Sequence, residues 1–259
     1  MIVLALAVGI GVGLVVGALG AGGGILSVPV FVYLLGQDAH TAAASSLVVV
    51  GTTAAVSLPH HARSGGVQWR RGALFAVVSV IGSVLGSRAS VLVPAGVLMA
   101  LFSALLAAAG TVMLRKGWRA RRESPAPANA PGAGRGPATV IAAALCAGFL
   151  TGFLGVGGGF VVVPMLVLVL ELDMRRAAGT SLLIMVITSL SGLLARVGTG
   201  IQIDWGLTLA FAASSMVGGL LGGPLSTGAK PWVLTSVFGA LLLVVSIVVA
   251  VSTLSGFMT

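Results

Sequence analysis

Charge is scarce in this sequence. Charged residues make up 7% of the 259 residues and hydrophobic residues 58%, whereas a soluble domain carries about 25% charged residues. The mean hydropathy is +1.16. A water-soluble fold cannot bury so much apolar surface, so the chain is predicted to be an integral membrane protein. At roughly 20 residues per span, the length leaves room for about eight to ten helical segments.

Cysteines and membrane-buried carboxylates are also lacking. Cys146 is the single cysteine, which excludes an internal disulfide and any multi-cysteine metal site. The acidic residues beside the apolar segments, Asp38, Glu171, Asp173 and Asp204, all lie at segment ends. No buried carboxylate relay for proton coupling is visible. No pattern in the chain indicates an enzyme or a cofactor.

Two sequence patterns resemble binding motifs, one for a dinucleotide and one for a metal ion, but the neighbouring residues argue against both. A dinucleotide-binding glycine spacing over residues 11–17 lies in a membrane-length apolar stretch without a βαβ unit. His60 and His61 adjoin each other at a segment end without a cysteine or carboxylate nearby. Such histidines are typical of the membrane interface, so no metal site is predicted.

Basic residues outnumber acidic ones by 14 to 5, which in a soluble protein would suggest nucleic acid. Six of them fall in one polar stretch: Arg115, Lys116, Arg119, Arg121, Arg122 and Arg135. The others sit singly or in pairs between apolar runs. This distribution is typical of cytoplasmic loops, so the expected partner is the lipid bilayer and not nucleic acid.

The apolar residues 2–19 resemble a secretory signal in composition. No basic region precedes them, so they are predicted to be a retained helix.

The sequence repeats itself on either side of a polar segment. Residues 115–137 are rich in Pro, Gly, Ala and Arg and are predicted to form a flexible linker between two membrane repeats, 1–114 and 138–259. Ten residues recur 135 positions later. They are Gly13, Gly17, Leu19, Gly20, Gly22, Gly23, Gly24, Pro29, Ser46 and Leu47, repeated as Gly148, Gly152, Leu154, Gly155, Gly157, Gly158, Gly159, Pro164, Ser181 and Leu182. So many identities at one offset indicate an internal duplication.

Each repeat contains five apolar segments, predicted at 2–19, 25–36, 41–59, 70–90 and 93–114, then at 138–155, 160–172, 177–195, 205–224 and 231–253. Helix is expected throughout, because lipid offers backbone groups no hydrogen bonds. The second segment of each repeat reaches only about 18–20 Å, short of a hydrocarbon core of about 30 Å. The predicted fold is an all-α integral membrane protein in which each repeat includes a short half-helix after a glycine-rich break.

Two repeats with an odd number of crossings must have inverted topology. Counting crossings places twelve of the fourteen basic residues on one side, which is then the cytoplasmic side. Arg88 and Arg196 are left outside. The prediction is a multi-pass protein of a bacterial inner membrane, with a cytoplasmic linker and both termini outside. The sequence does not predict an oligomeric state.

The G-x-G-G-G runs point to a binding site. A glycine break inside a membrane segment leaves backbone groups that only protein or a watery cavity can receive. The half-helix after each break presents free N–H groups and the positive end of its dipole, which favours a small anion. The predicted binding residues here are Gly22, Gly23, Gly24, Gly157, Gly158 and Gly159. Spaced glycines are instead predicted to allow close helix packing: Gly9, Gly13, Gly17, Gly82 and Gly86.

Hydroxyl residues near the start of the third segment of each repeat are further candidates. Ser45 and Ser46 in the first repeat correspond to Thr180 and Ser181 in the second, and their hydroxyls can donate to an oxyanion. Helix capping is an equally good interpretation for Ser45 and Thr180. For Ser46 and Ser181 we favour contact with a ligand.

The two signature segments resemble those of a known family. GALGAGGGILSVPVF with ASSLVVV, and GFLGVGGGFVVVPML with GTSLLIM, are similar to the paired blocks of the TauE/SafE family of sulfite exporters. The resemblance covers roughly residues 9–114 and 144–253. It implies a secondary transporter, with export as the expected direction, for sulfite, sulfonates, thiosulfate or related small anions.

Two other functions share some of these features. A passive anion channel would have the same architecture, and saturable, gradient-sensitive flux would separate it from a transporter. A membrane scaffold without transport would leave the paired glycine breaks unexplained.

Overall fold

The computed structural model describes residues 2–19, 24–122, 136–198, 200–227 and 230–258. Ten α-helices run through these ranges: α1 (Ile2–Leu19), α2 (Gly24–Pro29), α3 (Ala39–Arg63), α4 (Trp69–Ser90), α5 (Ala95–Arg122), α6 (Pro137–Leu154), α7 (Gly159–Leu168), α8 (Met174–Ala195), α9 (Trp205–Thr227) and α10 (Pro231–Met258). A π-helical turn, Val30–Leu34, continues α2. No β-strand occurs in the described part of the chain, so the fold is all-α as predicted.

Seven of the described helices are long and apolar enough to cross a membrane, namely α3, α4, α5, α6, α8, α9 and α10. Three apolar helical stretches are shorter: Ala5–Leu19, Ile25–Leu34 and Gly159–Leu168. The last two are the second segments of the two halves. At about 1.5 Å per residue, neither crosses a hydrocarbon core by itself. The chain is therefore a multi-pass membrane protein that contains two short helices.

The largest difference from the predicted segments lies at the end of α5. The linker was predicted to begin at residue 115, but α5 continues to Arg122. Lys116 Nζ donates to the Val167 carbonyl at 2.7 Å, and the Arg121 guanidinium lies 5.4 Å from the centroid of the Trp232 ring. These partners belong to α7 and α10. The extra helical turns are therefore held by contacts with distant parts of the chain, which the local sequence could not predict. Residues 123–135 lie outside the described residues, and their flexibility stays a prediction.

Aspartates begin the third helix of each half. Asp38 accepts a hydrogen bond from the backbone N–H of His40 at 2.9 Å, and Asp173 accepts one from that of Arg176 at 3.0 Å. Each carboxylate satisfies a helix-end donor that has no partner within the helix. Ser45 and Thr180 lie two turns further on and are therefore not the N-caps of these helices.

The first helix of each half packs against the fourth helix of the other half: α1 against α9, and α6 against α4. Glycines bring these backbones together. A Cβ added at Gly13 would clash with the carbonyl oxygen of Ser215, and one at Gly148 would clash with that of Ser79. The packing role predicted for the spaced glycines is confirmed at these crossings.

Contacts along each pair also give the helix directions. Gly9 lies beside Ser214 and Gly17 beside Gly219, so α1 and α9 run parallel. By the same criterion α6 runs parallel to α4, whereas α3 and α8 are antiparallel, with Gly179 beside His61. These are the directions that an inverted duplication requires. The duplication with inversion itself stays a prediction.

The basic residues near the ends of helices divide between the two ends of the bundle. The end of α3 and the start of α8 adjoin, because Gly66 lies beside the Arg175 carbonyl, and this end also holds Arg63 and Arg176. The opposite end, where α4 and α8 finish, holds Arg88 and Arg196.

Candidate functional site

The second glycine run turns the chain from α6 into α7 through three glycines with positive φ. Gly155 and Gly157 each have a φ of 66°, and Gly158 has a φ of 82°. Glycine adopts such angles without strain, whereas side-chain-bearing residues do so at a cost. The N–H of Gly155 donates to the Thr151 carbonyl at 3.0 Å and ends α6. Gly158 is the N-cap residue of α7.

The run passes from one end of α3 to its middle. A Cβ at Gly155 would clash with Ala43, in the second turn of α3, and one at Gly157 would clash with Val50, about halfway along this helix. The glycines therefore let the chain lie directly against α3. As a result α7 begins at mid-depth in the bundle rather than at either end.

The start of α7 is a set of backbone donors in a buried place. The N–H groups of Val161 and Val162 both bond to the Gly158 carbonyl, while the first N–H groups of any helix lack partners within it. Gly159 and Phe160 at the start of α7 are buried. An anion at this point would accept hydrogen bonds from the N–H groups of Gly159 and Phe160, which have no acceptor within α7. It would also meet the positive end of the helix dipole.

Ser46 supplies a hydroxyl on the same side of α3 as this run. It lies one turn from both Ala43 and Val50, the two residues that contact Gly155 and Gly157. The Ser46 side chain is fully buried, and its Oγ has no hydrogen-bond partner among the described residues. A buried polar group without a partner is costly, so its persistence calls for an explanation such as a bound ligand or water.

The other three predicted hydroxyls are all buried and bonded. Thr208 Oγ1 donates to Ser45 Oγ at 3.1 Å, and the backbone N–H of Gln68 donates to Thr180 Oγ1 at 3.0 Å. Ser181 Oγ donates to the carbonyl of Ala178 at 2.7 Å. Ser45 and Thr180 thus each join the third helix of one half to the start of the fourth helix of the other.

The first glycine run is described only in part. Gly22 and Gly23 lie outside the described residues, and Gly24 is the first residue of α2. Pro29 ends α2, and the chain changes there from α-helical to π-helical bonding, with Leu35 N donating to the Val30 carbonyl at 3.0 Å. Pro164 instead lies inside α7. The two short helices therefore differ in detail although their sequences correspond.

Further buried polar side chains in the bundle were not singled out in the sequence. Ser27, Ser57 and Ser189 are buried, and their hydroxyls also lack hydrogen-bond partners within the described ranges. No sequence pattern marks them, because serine is common in apolar helices that pack closely.

His61 and Arg196 are the other unexpected residues. His61 is buried rather than interfacial, and its Nε2 lies 3.0 Å from the Gly17 carbonyl. Within the described ranges no three His, Cys, Asp or Glu side chains come together as metal ligands would.

Arg196, just beyond the end of α8, is 5% exposed, and burial lowers its pKa to about 10. The guanidinium therefore stays charged at neutral pH.

A cleft of about 350 Å³ opens elsewhere, between the π-helical turn, the start of α5 and the end of α10. Tyr33, Gln37, Met99 and Thr253 are among its lining residues, and none of the predicted binding residues lines it. The cleft is mostly apolar and open to the surroundings, so it does not match a site for a small anion.

Comparison with known proteins identifies the family of this chain. A family model described as sulfite exporter TauE/SafE matches residues 5–249. The chain belongs to this family. It is 34% identical over 243 residues to a probable membrane transporter protein of Xylella fastidiosa, covering 92% of this chain and 90% of that protein. It is 30% identical over 237 residues to the probable membrane transporter protein YunE of Bacillus subtilis, covering 85% and 86%. No solved structure matches the chain.

Membership of the TauE/SafE family identifies the protein as a membrane transporter. The names of the relatives specify no substrate.

Proposed function

We propose that this TauE/SafE protein is a secondary transporter that exports small sulfur-containing or organic anions such as sulfite, sulfonates or thiosulfate. One observation carries the proposal. The N-terminus of α7 begins about halfway along α3, on the side where the fully buried Ser46 hydroxyl has no partner among the described residues.

The chemistry of this place suits a small oxyanion. Each oxygen of such an anion accepts hydrogen bonds, and the site offers backbone N–H groups together with one hydroxyl donor. No acidic residue of the sequence lies inside a membrane span to repel the anion. Binding through dipoles alone is also weak enough to allow release, which a transport site requires.

The paired glycine runs favour a transporter over a passive channel. Symmetric discontinuous helices near the midplane are typical of secondary transporters, in which one repeat moves against the other around a fixed site. Close contact between Gly157 and Val50 also leaves the described part of the run packed against α3, which suits a site that opens by movement. A passive anion channel of the same architecture is the second candidate.

We further propose that the protein lies in a bacterial inner membrane. The linker and the end where α3 finishes and α8 begins would be cytoplasmic, and both termini would lie outside. The distribution of basic residues supports this orientation.

The test is flux through proteoliposomes that contain the purified protein. Sulfite, thiosulfate, sulfoacetate, taurine and inorganic anions are each offered at increasing concentration and under opposed gradients. A transporter gives flux that saturates and that is stimulated when a second substrate anion is present on the other side. Linear flux without such exchange would support the channel, and no flux of any of these anions would contradict the proposed substrate class.

A further inference from the structure

Arg196 makes hydrogen bonds to the ends of three other helices beside the glycine run. Its guanidinium donates to the carbonyl of His40 at 3.3 Å, to Ser90 Oγ at 3.3 Å and to the carbonyl of Gly152 at 3.0 Å. These partners belong to the start of α3 and the ends of α4 and α6. Gly152 lies three residues before Gly155, where the run begins.

The Gly152 carbonyl is an acceptor that its own helix leaves unused. Gly152 is the third residue from the end of α6, and the last four carbonyls of a helix lack partners within it. Ser87 Oγ donates to this oxygen at 3.2 Å in addition to Arg196. A basic side chain at such a place also interacts favourably with the negative end of the helix dipole.

His61 occupies the corresponding place in the other half. His61 and Arg196 are separated by the same 135 residues as Gly17 and Gly152, and His61 Nε2 lies 3.0 Å from the Gly17 carbonyl. Because a carbonyl only accepts, Nε2 carries the proton in this contact. Gly17, like Gly152, is the third residue from the end of its helix. The two contacts lie at opposite ends of the bundle, since α3 and α8 are antiparallel.

We infer that Arg196 and His61 are equivalent positioning residues, each of which fixes the last turn of the first helix of its half. In the second half, Arg196 thereby also fixes the course of the described glycine run from Gly155 to Gly158. In the first half, the predicted binding residues follow α1 directly in the sequence. The inference deepens the proposed function, because both glycine runs belong to the predicted anion site. It assigns a role to two basic residues that do not contact the anion themselves. A carbonyl bonded to a fixed donor holds the helix end, and the run leaves from that end.

The position of the run can be followed without any transported anion. In a Cys146→Ser background, Val156→Cys places a thiol in the run at a position that is fully buried. We expect N-ethylmaleimide to label this thiol slowly. Arg196→Gln should accelerate labelling roughly tenfold, corresponding to an opening of the run that is easier by about 1.4 kcal/mol. Arg196→Lys, which keeps one charged donor, should accelerate it less.

Two controls separate positioning from general loosening. Arg88→Gln removes an exposed arginine at the same end of the bundle and should leave the labelling rate at residue 156 unchanged. Met113→Cys reports on a fully buried position in α5, away from the run, and its labelling should not respond to Arg196→Gln. Equal acceleration at residues 113 and 156, or none at residue 156, would overturn the inference for Arg196.

For His61 the readout is anion binding by the purified protein. His61→Gln keeps an N–H group near the position of Nε2 and should keep the dissociation constant, whereas the shorter His61→Asn should raise it roughly tenfold. Equal affinity in both variants with wild-type protein would overturn the equivalence of the two residues. If no anion of the panel binds even wild-type protein, the proposed function fails, while the thiol measurements still decide the role of Arg196.

Discussion

At the scale of single residues, Ser46 offers the sharpest test of the candidate site. Its hydroxyl is buried without a partner among the described residues, so Ser46→Ala should leave the thermal stability of the anion-free protein unchanged or slightly higher. Anion affinity should fall roughly ten- to a hundredfold, because a lost hydrogen bond to a charged ligand costs about 1.5–3 kcal/mol. Isothermal titration and thermal unfolding of the purified variant measure both quantities.

Ser103 provides the matched control. Its hydroxyl donates to the carbonyl of Ser246 at 3.0 Å, between α5 and α10. Ser103→Ala should therefore lower the unfolding temperature and leave anion affinity unchanged, which is the reverse of the pattern expected for Ser46→Ala. Weaker anion binding in both variants would mean that the effect of Ser46→Ala passes through stability and not through a ligand contact.

The difference between Ser46 and Ser181 could not be predicted from the sequence. Both serines come from the same repeated motif, yet Ser181 donates to the Ala178 carbonyl whereas no bond is present for Ser46 in the described part of the chain. Hydrogen bonding depends on rotamers and on neighbours that the motif does not contain. We accordingly expect Ser181→Ala to weaken anion binding less than Ser46→Ala does.

Gly158 shows that a correctly predicted residue need not offer a clean test of ligand binding. The sequence correctly predicts a break at this residue, and the structure gives it a φ of 82° with Thr151 against the place of a Cβ. A larger residue would be strained and would clash whether or not an anion binds. Substitution of Gly158 would therefore report on the fold of the run rather than on its ligand.

At the scale of helices, the glycines of α1 divide into two kinds. A Cβ at Gly13 would clash with the backbone of Ser215, whereas a Cβ at Gly11 would meet no atom within 4 Å. Gly13→Ala should destabilise the protein by about 1–3 kcal/mol, since backbone cannot move aside as a side chain can. Gly11→Ala should be neutral or mildly stabilising. Thermal unfolding of the two variants in detergent measures the contrast, and equal effects would refute the close α1–α9 crossing.

Helix positions were predicted well because long apolar runs between polar residues mark them directly. The starts of α4 and α9 at Trp69 and Trp205 fall within one residue of the predicted segments. The end of α5 was not predicted, because residues up to Arg122 are held by contacts with other helices. Helix partners also could not be predicted, since the glycine stripe on α1 indicates close packing but does not identify α9.

At the scale of the whole molecule, the orientation in the membrane can be tested by labelling exposed positions. In a Cys146→Ser background, Arg88→Cys should react with a membrane-impermeant thiol reagent added to intact cells. Lys230→Cys should react only after the membrane is opened. Both native side chains are exposed. The count of crossings assigns Lys230 to the side that carries twelve of the fourteen basic residues, which favours the cytoplasm for this residue. The opposite pattern would reverse the proposed orientation.

The fold class and the membrane location followed from composition, which is a property of the whole chain and tolerates local error. The arrangement of the halves did not follow from composition. Only contacts such as that of Gly148 with Ser79, between α6 and α4, show that the first helix of each half packs against the fourth helix of the other. Sequence repetition suggested two similar units but carried no information on how they interlock.

The pairing of α1 with α9 has a consequence for biosynthesis. Gly13 emerges from the ribosome some 200 residues before Ser215, the residue whose carbonyl lies over it. At about 5–20 residues per second, α1 waits roughly 10–40 s for its partner. During that time its glycine face must be covered by lipid or by the insertion machinery. Slow codons or a stalled chain before α9 would prolong this exposure, so quality control should act on chains that end before α9.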